Sequence, residues 1–365
     1  MKLFVDCHVF DGIPQGSRTY IKGLYLELIK VRKDICFYLA AYDVDNLKNE
    51  FGESSNVTFV KYRFRNKILR LSIDIPWLIV KYKCDYAHFQ YMLPLFKKCK
   101  EIVTIHDVLF LDYPQYFSWK YKFLYNILFR HAACRSDILL TVSKYSKNRI
   151  AHFYKIKEER IYIVPNAVVP RNMPIAQVNS VKEKFILYVS RIEERKNHLL
   201  LVRAYVEGEF WKLGYKLVLA GRAASKTPNL YKYLDTLKKE VLLNIIFCTP
   251  SEDELTLLLS SCSLFVYPSL AEGFGIPPLE AGVMGRPVLC ACTTSMLDFE
   301  NLGFTMFNAY DIDALKKEML AKLGGDRDSG IDLDSIKNNI LRIYNWTKMA
   351  GYFIEILENN ENRSN

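Results

Sequence analysis

The feature that most constrains the fold is a regular alternation of short apolar runs with longer amphipathic stretches. The apolar runs have the length of β-strands, and in the first half of the chain they lie at 3–5, 37–40, 86–89, 102–105, 138–142 and 161–164. A second series follows at 185–189, 216–220, 245–248, 264–267 and 287–290. Continuously apolar strands are typical of parallel sheets that helices cover on both faces. The sequence therefore predicts an α/β protein with two doubly wound, Rossmann-like domains.

A stretch with two prolines and no periodicity separates the two series, at 168–175. Because proline interrupts helices and central strands, we place the domain boundary there. The N-terminal domain then covers residues 1–172 and the C-terminal domain residues 173–345, and a last helix over about 346–365 is expected to pack back on the N-terminal domain. Tandem domains of this type bind ligands in the cleft between the carboxyl ends of their sheets, so functional motifs should lie on the loops that follow strands.

The charge of the chain is divided unevenly. The net charge is +10, and residues 1–170 hold 27 Lys and Arg against 16 Asp and Glu, whereas residues 171–365 hold 23 against 24. This asymmetry indicates an anionic surface or acceptor that faces the N-terminal half. Aromatic residues accompany the basic excess at 61–70 and 116–125, a composition that favours a bilayer interface. A solvated face is the commoner outcome for one such run, but the overall excess favours a peripheral membrane contact and an acceptor on a lipid diphosphate.

Targeting segments and metal sites have little support in the sequence. No apolar window reaches the length of a membrane-spanning helix, and the first residues lack the apolar region of a signal peptide. We therefore expect a cytoplasmic protein that is peripheral at the inner face of the cell membrane. The nine cysteines are scattered without a C-x-x-C pair, which predicts reduced thiols and no metal site.

The most informative motif follows the fourth predicted strand of the second series and reads PSLAEGFGIPPLEAG over residues 268–282. Its two prolines suit the first turn of a helix, so the pattern is strand, glycine loop and helix. Gly273 and Gly275 allow the backbone to approach a ligand, and the helix N-terminus attracts phosphate. Glu272 and Glu280 are hydrogen-bond acceptors that suit the hydroxyl groups of a polyol. Either glutamate alone is also explained as a negative charge near the helix dipole.

A second motif follows the strand at 185–189. Residues 190–197 read SRIEERKN and bring three cations to the carboxyl end of a strand, where they can meet phosphate. On their own such cations usually begin a solvated helix, and Glu193 and Glu194 could neutralise them. We expect Asn197 to cap the helix that follows.

The segment at 268–282 strongly resembles the E-x7-E region of the retaining glycosyltransferases of family 4, which have the GT-B fold. The resemblance implies that Glu272 contacts hydroxyl groups of the donor sugar and that Glu280 holds the ribose. It places the residues between them against the sugar and the diphosphate, namely Gly273, Phe274, Gly275 and Ile276.

The same resemblance selects Arg191 and Lys196, beside Ser190, as the cations that stabilise the departing diphosphate, so that neither a metal ion nor another cofactor is required. Together with Glu272 they are the catalytic candidates of the second half. Thr249 is a secondary candidate, because its loop lacks the glycine that is usual in the family. Two further loops add glycines to the donor-binding residues, Gly16 and Gly221.

In the first half, the strand at 102–105 ends in His106 and Asp107. Such residues more often form an ordinary hydrogen-bonded pair than a catalytic one. By resemblance, His106 contacts the donor sugar near the reacting centre and is the fourth catalytic candidate, with Asp107 as a secondary one. Asn166 is also secondary, because residues 164–168 resemble the V-P-N-G-V of the family with an alanine in place of the glycine.

The function that the resemblance implies is the retaining transfer of a hexose from a nucleotide-diphosphate sugar to a saccharide or polyprenyl-diphosphate-linked acceptor, in the biosynthesis of a cell-surface polysaccharide such as lipopolysaccharide or capsule. The motifs look most like those of polysaccharide mannosyltransferases, which favours GDP-mannose as donor ahead of a UDP-sugar. Two alternatives stay open: a GT-B-type sugar epimerase or phosphorylase, and a basic nucleic-acid-binding protein without enzymatic activity. The chain has no recognised nucleic-acid module and no G-x-G-x-x-G after a predicted strand, so neither nucleic acid nor a nicotinamide cofactor is expected.

Overall fold

The computed structural model describes residues 1–12, 16–171, 183–223, 227–324 and 332–362. The chain divides into two compact units. Unit 1 consists of Met1–Ala167 and Tyr344–Asn365, and unit 2 of Val168–Ile343. The predicted boundary at residue 172 and the second half of the predicted linker, residues 172–175, fall outside the described ranges.

Unit 1 contains a parallel sheet of seven strands within the described residues, in the spatial order β3-β2-β1-β4-β5-β6-β7. The strands are β1 Lys2–Asp6, β2 Cys36–Ala41, β3 Val57–Lys61, β4 Tyr86–Gln90, β5 Lys100–Thr104, β6 Ile138–Thr141 and β7 Ile161–Ile163. The sequence did not predict β3, because this edge strand buries a single residue, Val60, and so lacks a continuous apolar run.

Helices surround this sheet. They are α1 Gly16–Val31, α2 Val44–Phe51, α3 Lys67–Leu69, α4 Ile75–Tyr82, α5 Leu109–Asp112, α6 Trp119–Arg135 and α7 Lys144–Tyr154. A π-helical turn, Arg70–Asp74, joins α3 to α4. Residues of α4, α6 and α7, such as Leu78, Phe129 and Ile150, share one hydrophobic core with Phe89 of β4. These three helices therefore lie on the same face of the sheet.

Unit 2 contains a parallel sheet of six strands in its described part, in the order β10-β9-β8-β11-β12-β13. The strands are β8 Lys184–Val189, β9 Tyr215–Ala220, β10 Ile245–Cys248, β11 Leu264–Tyr267, β12 Val288–Ala291 and β13 Thr305–Phe307. The short edge strand β13 was not predicted. The two parallel sheets confirm the prediction of two Rossmann-like domains.

The helices of unit 2 are α8 His198–Glu207, α9 Pro228–Asp235, α10 Lys239–Leu242, α11 Glu252–Ser261, α12 Ile276–Val283, α13 Ile312–Leu323 and α14 Leu333–Ile343. Residues 229–242 have the sequence pattern of a single helix, but the structure divides them between α9 and α10. Thr236 follows α9 and donates its hydroxyl to the carbonyl oxygen of Tyr233 at 2.6 Å. This local hydrogen bond competes with continuation of the helix.

The last helix, α15 Trp346–Asn362, belongs to unit 1. Its Trp346 ring lies 6.2 Å from the ring of Tyr20 in α1, and Phe353 stacks on His88 of β4 at 5.7 Å. The chain thus returns to its first sheet after completing the second. In the described residues, none of the helices has the length and apolar character needed to cross a bilayer.

The strand order reverses once in each sheet, between β1 and β4 in unit 1 and between β8 and β11 in unit 2. At such a point the two connections leave the sheet in opposite directions and open a crevice at the carboxyl ends of the strands. In unit 2, the loops that border this crevice are 190–197 and 268–275. Both predicted donor motifs therefore lie at the switch point of one sheet.

Candidate active site

The loop after β11 is held in place by its own backbone and by the loop after β12. Helix α12 begins at Ile276 with the two prolines in its first turn, as predicted. Gly275, just before the helix, has φ +95°, a left-handed conformation that glycine adopts without steric cost. The hydroxyl of Ser295 lies 2.9 Å from the carbonyl oxygens of both Glu272 and Phe274. The loop that presents Glu272 is therefore braced by a residue that the sequence did not single out.

The carboxylate of Glu272 is the centre of a buried network, with the residue only 7% exposed. Its Oε1 forms an ion pair with the ammonium group of Lys196. The same oxygen accepts hydrogen bonds from the hydroxyls of Ser269 at 2.7 Å and Tyr267 at 2.9 Å. Oε2 is approached by the guanidinium of Arg195 at 3.4 Å. Two of the predicted catalytic residues, Glu272 and Lys196, are thus in direct contact.

These neighbours fix the protonation state of Glu272. Burial raises the pKa of this carboxyl, but the charges of Lys196 and Arg195 and the hydrogen bonds more than offset the effect and lower the pKa to about 2. Glu272 is therefore ionised at neutral pH and can act only as a hydrogen-bond acceptor.

The second motif brings two of its three cations, Arg195 and Lys196, to the carboxylate of Glu272. Arg191 has a side chain that is 53% exposed and lies 3.7 Å from Glu193. Arg195, which the pattern assigned to a solvated helix start, has a side chain only 12% exposed and pairs with Glu193 at 2.7 Å. Arg195 and Lys196 therefore do not form the solvated helix start that such cations usually begin, because β8 lies beside β11 and the short turn after β8 brings both cations to Glu272.

The prediction that the side chain of Asn197 caps α8 is also wrong. Asn197 stands at the N-cap position, but its backbone is left-handed, with φ +57°, and its side chain makes no capping hydrogen bond. Its amide instead donates to the carbonyl oxygens of Pro268 at 3.2 Å and Ala309 at 2.9 Å. Asn197 therefore ties the loop after β8 to the loop after β11.

Glu280, the predicted ribose ligand, is paired with an arginine that the sequence gave no reason to select. Arg171 donates to Glu280 Oε1 at 2.8 Å and to Glu252 Oε2 at 2.9 Å. Burial raises the pKa of Glu280, and the charge of Arg171 offsets only part of this. Arg171 lies in the stretch without periodicity that the sequence marks as a linker, so no local pattern announces this contact.

The remaining candidates of unit 2 lie at the carboxyl ends of its strands. Gly221 has φ +152°, and a Cβ atom there would lie 1.9 Å from the carbonyl oxygen of Ser190, so only glycine allows this approach. The Ser190 hydroxyl lies 3.3 Å from His198 Nε2. Phe274 packs edge-on against Phe299 at 5.6 Å, and Thr249 is exposed after β10.

In unit 1, His106 is buried just beyond β5. Its Nε2 lies 2.5 Å from Gln90 Oε1, and the rings of Tyr20 and Tyr91 lie 5.1 and 5.2 Å away. Burial lowers the pKa of His106 to about 3, so the ring is neutral at physiological pH. Because an amide oxygen only accepts, Nε2 carries the proton and Nδ1 keeps its lone pair.

A second buried histidine supports this arrangement. His88 Nδ1 lies 2.7 Å from the hydroxyl of Tyr25, and its Nε2 lies 2.8 Å from the hydroxyl of Thr104. Burial, and then the proximity of His106, lowers the pKa of His88 to about 3. Sequence reasoning missed His88 and Gln90, although polar residues at alternate positions of an otherwise apolar strand place both on one face of the sheet.

The remaining candidates of unit 1 are Asp107, Asn166 and Gly16. Asp107 accepts a hydrogen bond from the backbone of Leu109 at 3.1 Å. Asn166 is 3% exposed, and in the described part of the chain its Oδ1 has no hydrogen-bond partner. Gly16 begins α1, but residues 13–15 of the predicted glycine loop lie outside the described ranges.

Two family models match consecutive parts of this chain. Glycosyltransferase Family 4 matches residues 14–171, and Glycosyl transferases group 1 matches residues 172–326. The chain belongs to the family 4 glycosyltransferases. The resemblance inferred from the E-x7-E segment and the prediction of a transferase enzyme are thereby confirmed.

Curated relatives place this glycosyltransferase near polysaccharide enzymes. O-antigen chain mannosyltransferase B of Escherichia coli is 28% identical over 257 residues, which cover 66% of this chain and 67% of that protein. The serotype-specific mannosyltransferase WbdA of Escherichia coli is 28% identical over 200 residues, 51% of this chain but only 24% of that longer protein. A Campylobacter jejuni enzyme, N-acetylgalactosamine-N,N'-diacetylbacillosaminyl-diphospho-undecaprenol 4-alpha-N-acetylgalactosaminyltransferase, is 28% identical over 329 residues, 80% of each chain.

Solved structures share the fold of this glycosyltransferase. A glycosyltransferase from Rickettsia africae ESF-5 has a TM-score of 0.73 and 18% identity, with 98% of each chain covered. Anabaena Alr3699/HepE in complex with UDP and glucose has a TM-score of 0.72 and 14% identity, with 98% of this chain and 99% of that chain covered. At such low identity the likeness concerns the fold alone, and it confirms the GT-B prediction.

Proposed function

We propose that this glycosyltransferase moves a hexose from a nucleotide-diphosphate sugar to a saccharide or lipid-linked acceptor in the biosynthesis of a cell-surface polysaccharide. The observation that carries the proposal is the buried contact between Glu272 and Lys196 at the switch point of unit 2. It sets a fixed carboxylate for sugar hydroxyls beside a fixed cation for phosphate. The printed functions of the Escherichia coli and Campylobacter jejuni relatives support the polysaccharide context.

The charges of unit 2 suit the departure of a nucleoside diphosphate. Arg191 and Lys196 follow β8, and the N-terminus of α12 follows Gly275. Cations and free backbone N–H groups therefore lie on the two loops that border the crevice of unit 2. Fixed positive groups of this kind stabilise charge that develops on a leaving group. We expect this to suffice without a metal ion, so transfer should proceed unchanged in the presence of a chelator such as EDTA.

The state of Glu272 supports retention of the anomeric configuration without a covalent intermediate. A carboxylate whose oxygen already accepts from Lys196, Tyr267 and Ser269 is a poor nucleophile, because its lone pairs are engaged. Attack by the acceptor on the same face that the diphosphate leaves requires no enzyme nucleophile. Glu272 then orients the sugar, with Glu280 on the ribose.

The experiment that tests this function begins with a thermal-shift panel of GDP- and UDP-sugars, because a ligand that binds only the folded state raises the melting temperature. We expect GDP-mannose to give the largest shift, with UDP-sugars next. The donor that binds is then incubated with saccharide acceptors, and the product anomer is determined by proton NMR. A free epimerised sugar, an inverted linkage or the absence of any donor shift would sink the proposal.

The acceptor side of the proposal includes a membrane-facing surface, which we define as the exposed apolar side chains of α3, its π-helical extension, α4 and α6. In α6, Trp119 is 70% and Phe123 is 68% exposed, and Ile127 continues the same stripe at a spacing of four. Lys67 connects α3 to α6, with its ammonium group 3.3 Å from the hydroxyl of Tyr125. The remaining members are Ile68, Leu69, Ile73, Trp77, Val80 and Leu124.

Cations flank this surface. The guanidinium of Arg63 lies 4.6 Å and the ammonium of Lys81 4.9 Å from the ring of Trp77, and residues 114–136 contain no acidic residue. Apolar and aromatic groups enter the interface of a bilayer while neighbouring cations meet lipid phosphate. We therefore propose that unit 1 docks on an anionic membrane.

Flotation with liposomes that contain phosphatidylglycerol tests this docking. We expect the double variant Trp119→Ser and Phe123→Ser to bind several-fold less than the wild type. The matched control, Tyr310→Ser and Leu243→Ser, removes two exposed apolar side chains from unit 2 and should bind normally. If the wild type stays unbound at both low and physiological salt, the membrane proposal is wrong.

A further inference from the structure

A small pocket opens in unit 1 where β2 and β3 end. Its volume is about 330 Å³. This is at the lower end of ligand pockets, which span roughly 300–1,000 Å³, and suits a single sugar with its phosphate. In a doubly wound sheet, ligands bind at the carboxyl ends of the strands. The lining side chains that matter here are Tyr42, Asp43, Asp45, Phe59, Lys61 and Arg65.

Two cations of the pocket stand out from the rest of the basic run at 61–70. The guanidinium carbon of Arg65 lies 4.4 Å and the ammonium of Lys61 5.7 Å from the ring of Tyr42. In the described part of the chain neither forms an ion pair, whereas Arg63 pairs with Asp74 at 2.8 Å. Two positive charges that share one aromatic ring and form no ion pair favour an anionic group in the ligand.

The acidic residues of the pocket indicate that the ligand is more than a bare anion. Asp43 caps α2 by accepting from the backbone of Asn46 at 3.0 Å, and the carboxylate of Asp11 holds the backbone N–H of Tyr42 and Asp43 at 3.0 and 2.8 Å. The rim is therefore fixed. Asp43 and Asp45 would repel an isolated phosphate but accept hydrogen bonds from sugar hydroxyls. Cations, carboxylates and an aromatic ring together suit a glycosyl phosphate.

The pocket residue Arg65 lies only three positions before the first residue of the membrane-facing surface in the chain. Arg65 is followed at once by Asn66, whose side chain caps α3 through the backbone of Ile68 at 2.9 Å. Ile68 is 72% exposed and begins the membrane-facing surface. An amphiphile whose phosphate is held by Arg65 therefore meets exposed apolar side chains three residues further along the chain.

We propose that this pocket binds the phosphate-bearing sugar of a lipid-linked acceptor, with Lys61 and Arg65 on the phosphate, Asp43 and Asp45 on the hydroxyl groups, and the lipid chain directed to the membrane-facing surface. This inference rests on the proposed function, because it names the acceptor class of the same enzyme. It concerns residues of unit 1 that take no part in the donor site of unit 2.

The test measures equilibrium binding of farnesyl-diphosphate-linked N-acetylglucosamine to the full-length protein by isothermal titration calorimetry. We expect the double variant Lys61→Gln and Arg65→Gln to bind at least about tenfold more weakly, because two charge-assisted contacts are lost. The matched control, Lys98→Gln and Lys157→Gln, removes two other exposed cations of unit 1 and should bind like the wild type. An unchanged thermal shift with the nucleotide-sugar donor shows that the double variant is folded.

Two further ligands distinguish the sources of the phosphate. Octyl glucoside, which has no charge, should bind equally to both forms, and inorganic pyrophosphate should bind far more weakly than the full probe. Pyrophosphate binding as tight as that of the probe would assign the pocket to a free anion and overturn the proposal, as would a wild type that does not bind the probe or a double variant that binds it normally. If the probe binds but no nucleotide sugar raises the melting temperature, the proposal for the pocket holds and the proposed donor is wrong.

Discussion

The buried polar clusters around His106 in unit 1 and around Glu272 in unit 2 are stabilised in different ways. Both units place polar side chains at the carboxyl ends of a parallel sheet. In unit 1 the buried groups around His106 are neutral: His106 donates to Gln90, and His88 is held by Tyr25 and Thr104. In unit 2 they are ionised, with Glu272 among Lys196 and Arg195 and with Glu280 on Arg171.

The difference follows from the energetic requirements for burying neutral and charged side chains. Neutral polar groups are tolerated in the interior when every donor and acceptor is hydrogen-bonded, whereas charges must also be paired. Neutral groups suit the uncharged hydroxyls of a sugar, and fixed charges suit a diphosphate. With similar strand topology, the side chains that end the strands thus decide whether a buried cluster is neutral or charged.

The largest effect is expected from breaking the central pair of unit 2. Lys196→Met leaves the carboxylate of Glu272 buried without its main partner, which should lower the free energy of unfolding by about 3–5 kcal/mol. Transfer activity should be lost as well, because the cation for the diphosphate is gone. Urea unfolding and an initial-rate assay measure the two effects.

The double variant Lys196→Met and Glu272→Gln separates stability from chemistry. With both charges removed, most of the lost stability should return while transfer stays absent, since neither sugar nor phosphate meets its charged partner. A single variant with the urea midpoint of the wild type would show that the pair is not buried as the structure has it. A double variant that regains turnover would remove Glu272 and Lys196 from the mechanism.

Acid should weaken unit 1 more steeply than unit 2. The pKa of both His88 and His106 is lowered to about 3 by burial, from an ordinary value near 6.5, so below pH 6.5 the unfolded chain binds protons that the folded chain does not. Stability is therefore fully present above that pH and falls as the pH drops, by about 1.4 kcal/mol per pH unit for each site. Among the described residues of unit 2, His198 is the comparable histidine, with a pKa lowered to about 3.

Hydrogen exchange of peptides from each sheet, followed by mass spectrometry between pH 6.5 and 5 and corrected for intrinsic rates, measures the two slopes. Glu272, whose pKa is lowered to about 2, affects unit 2 only below its ordinary pKa of 4.5, outside this window. His88→Gln should reduce the slope of unit 1 by about half. Equal slopes in the wild-type units would contradict the neutral state of the two histidines.

Variants of Gln90, a positioning residue for His106, test the role of the neutral histidine. Gln90→Leu removes the acceptor for Nε2–H and frees the tautomer, which should lower kcat about tenfold, the equivalent of one hydrogen bond. Gln90→Glu keeps the acceptor but adds a negative charge that raises the pKa of His106. The rate of this variant should therefore gain a limb at acidic pH that the wild type lacks. A purely structural role would leave the pH profile of both variants unchanged.

The smallest effect is expected at Arg171. Arg171→Gln removes the partner that holds Glu280, so the KM for the donor should rise about threefold to tenfold while kcat changes little. Arg203→Gln is the matched control, because it breaks an exposed pair with Glu207 within one helix, and exposed pairs contribute little. If kcat falls by as large a factor as KM rises, Arg171 acts in the chemical step and not only in nucleotide binding.

Local sequence pattern determined the strands, the glycine loop and the helix start of the donor motif. The apolar runs identify most strands, and the prolines after Gly275 mark the first turn of α12. Ser251 and Glu254, three positions apart, form a capping box at the start of α11. Each of these features depends on residues a few positions apart. The edge strands β3 and β13 escaped prediction because each buries a single residue and so lacks an apolar run.

Only the tertiary structure decided which side chains meet. Glu272 contacts Lys196 across 76 positions and Glu280 contacts Arg171 across 109, while Gln90 reaches His106 across 16. The order of the strands brings β8 beside β11 and β4 beside β5, and no periodicity along the chain encodes that order. The sequence by itself predicted which loops carry the chemistry. The pairing of charges and the protonation of the buried groups were decided by the fold, because both depend on neighbours that are distant in the chain and on the exclusion of water.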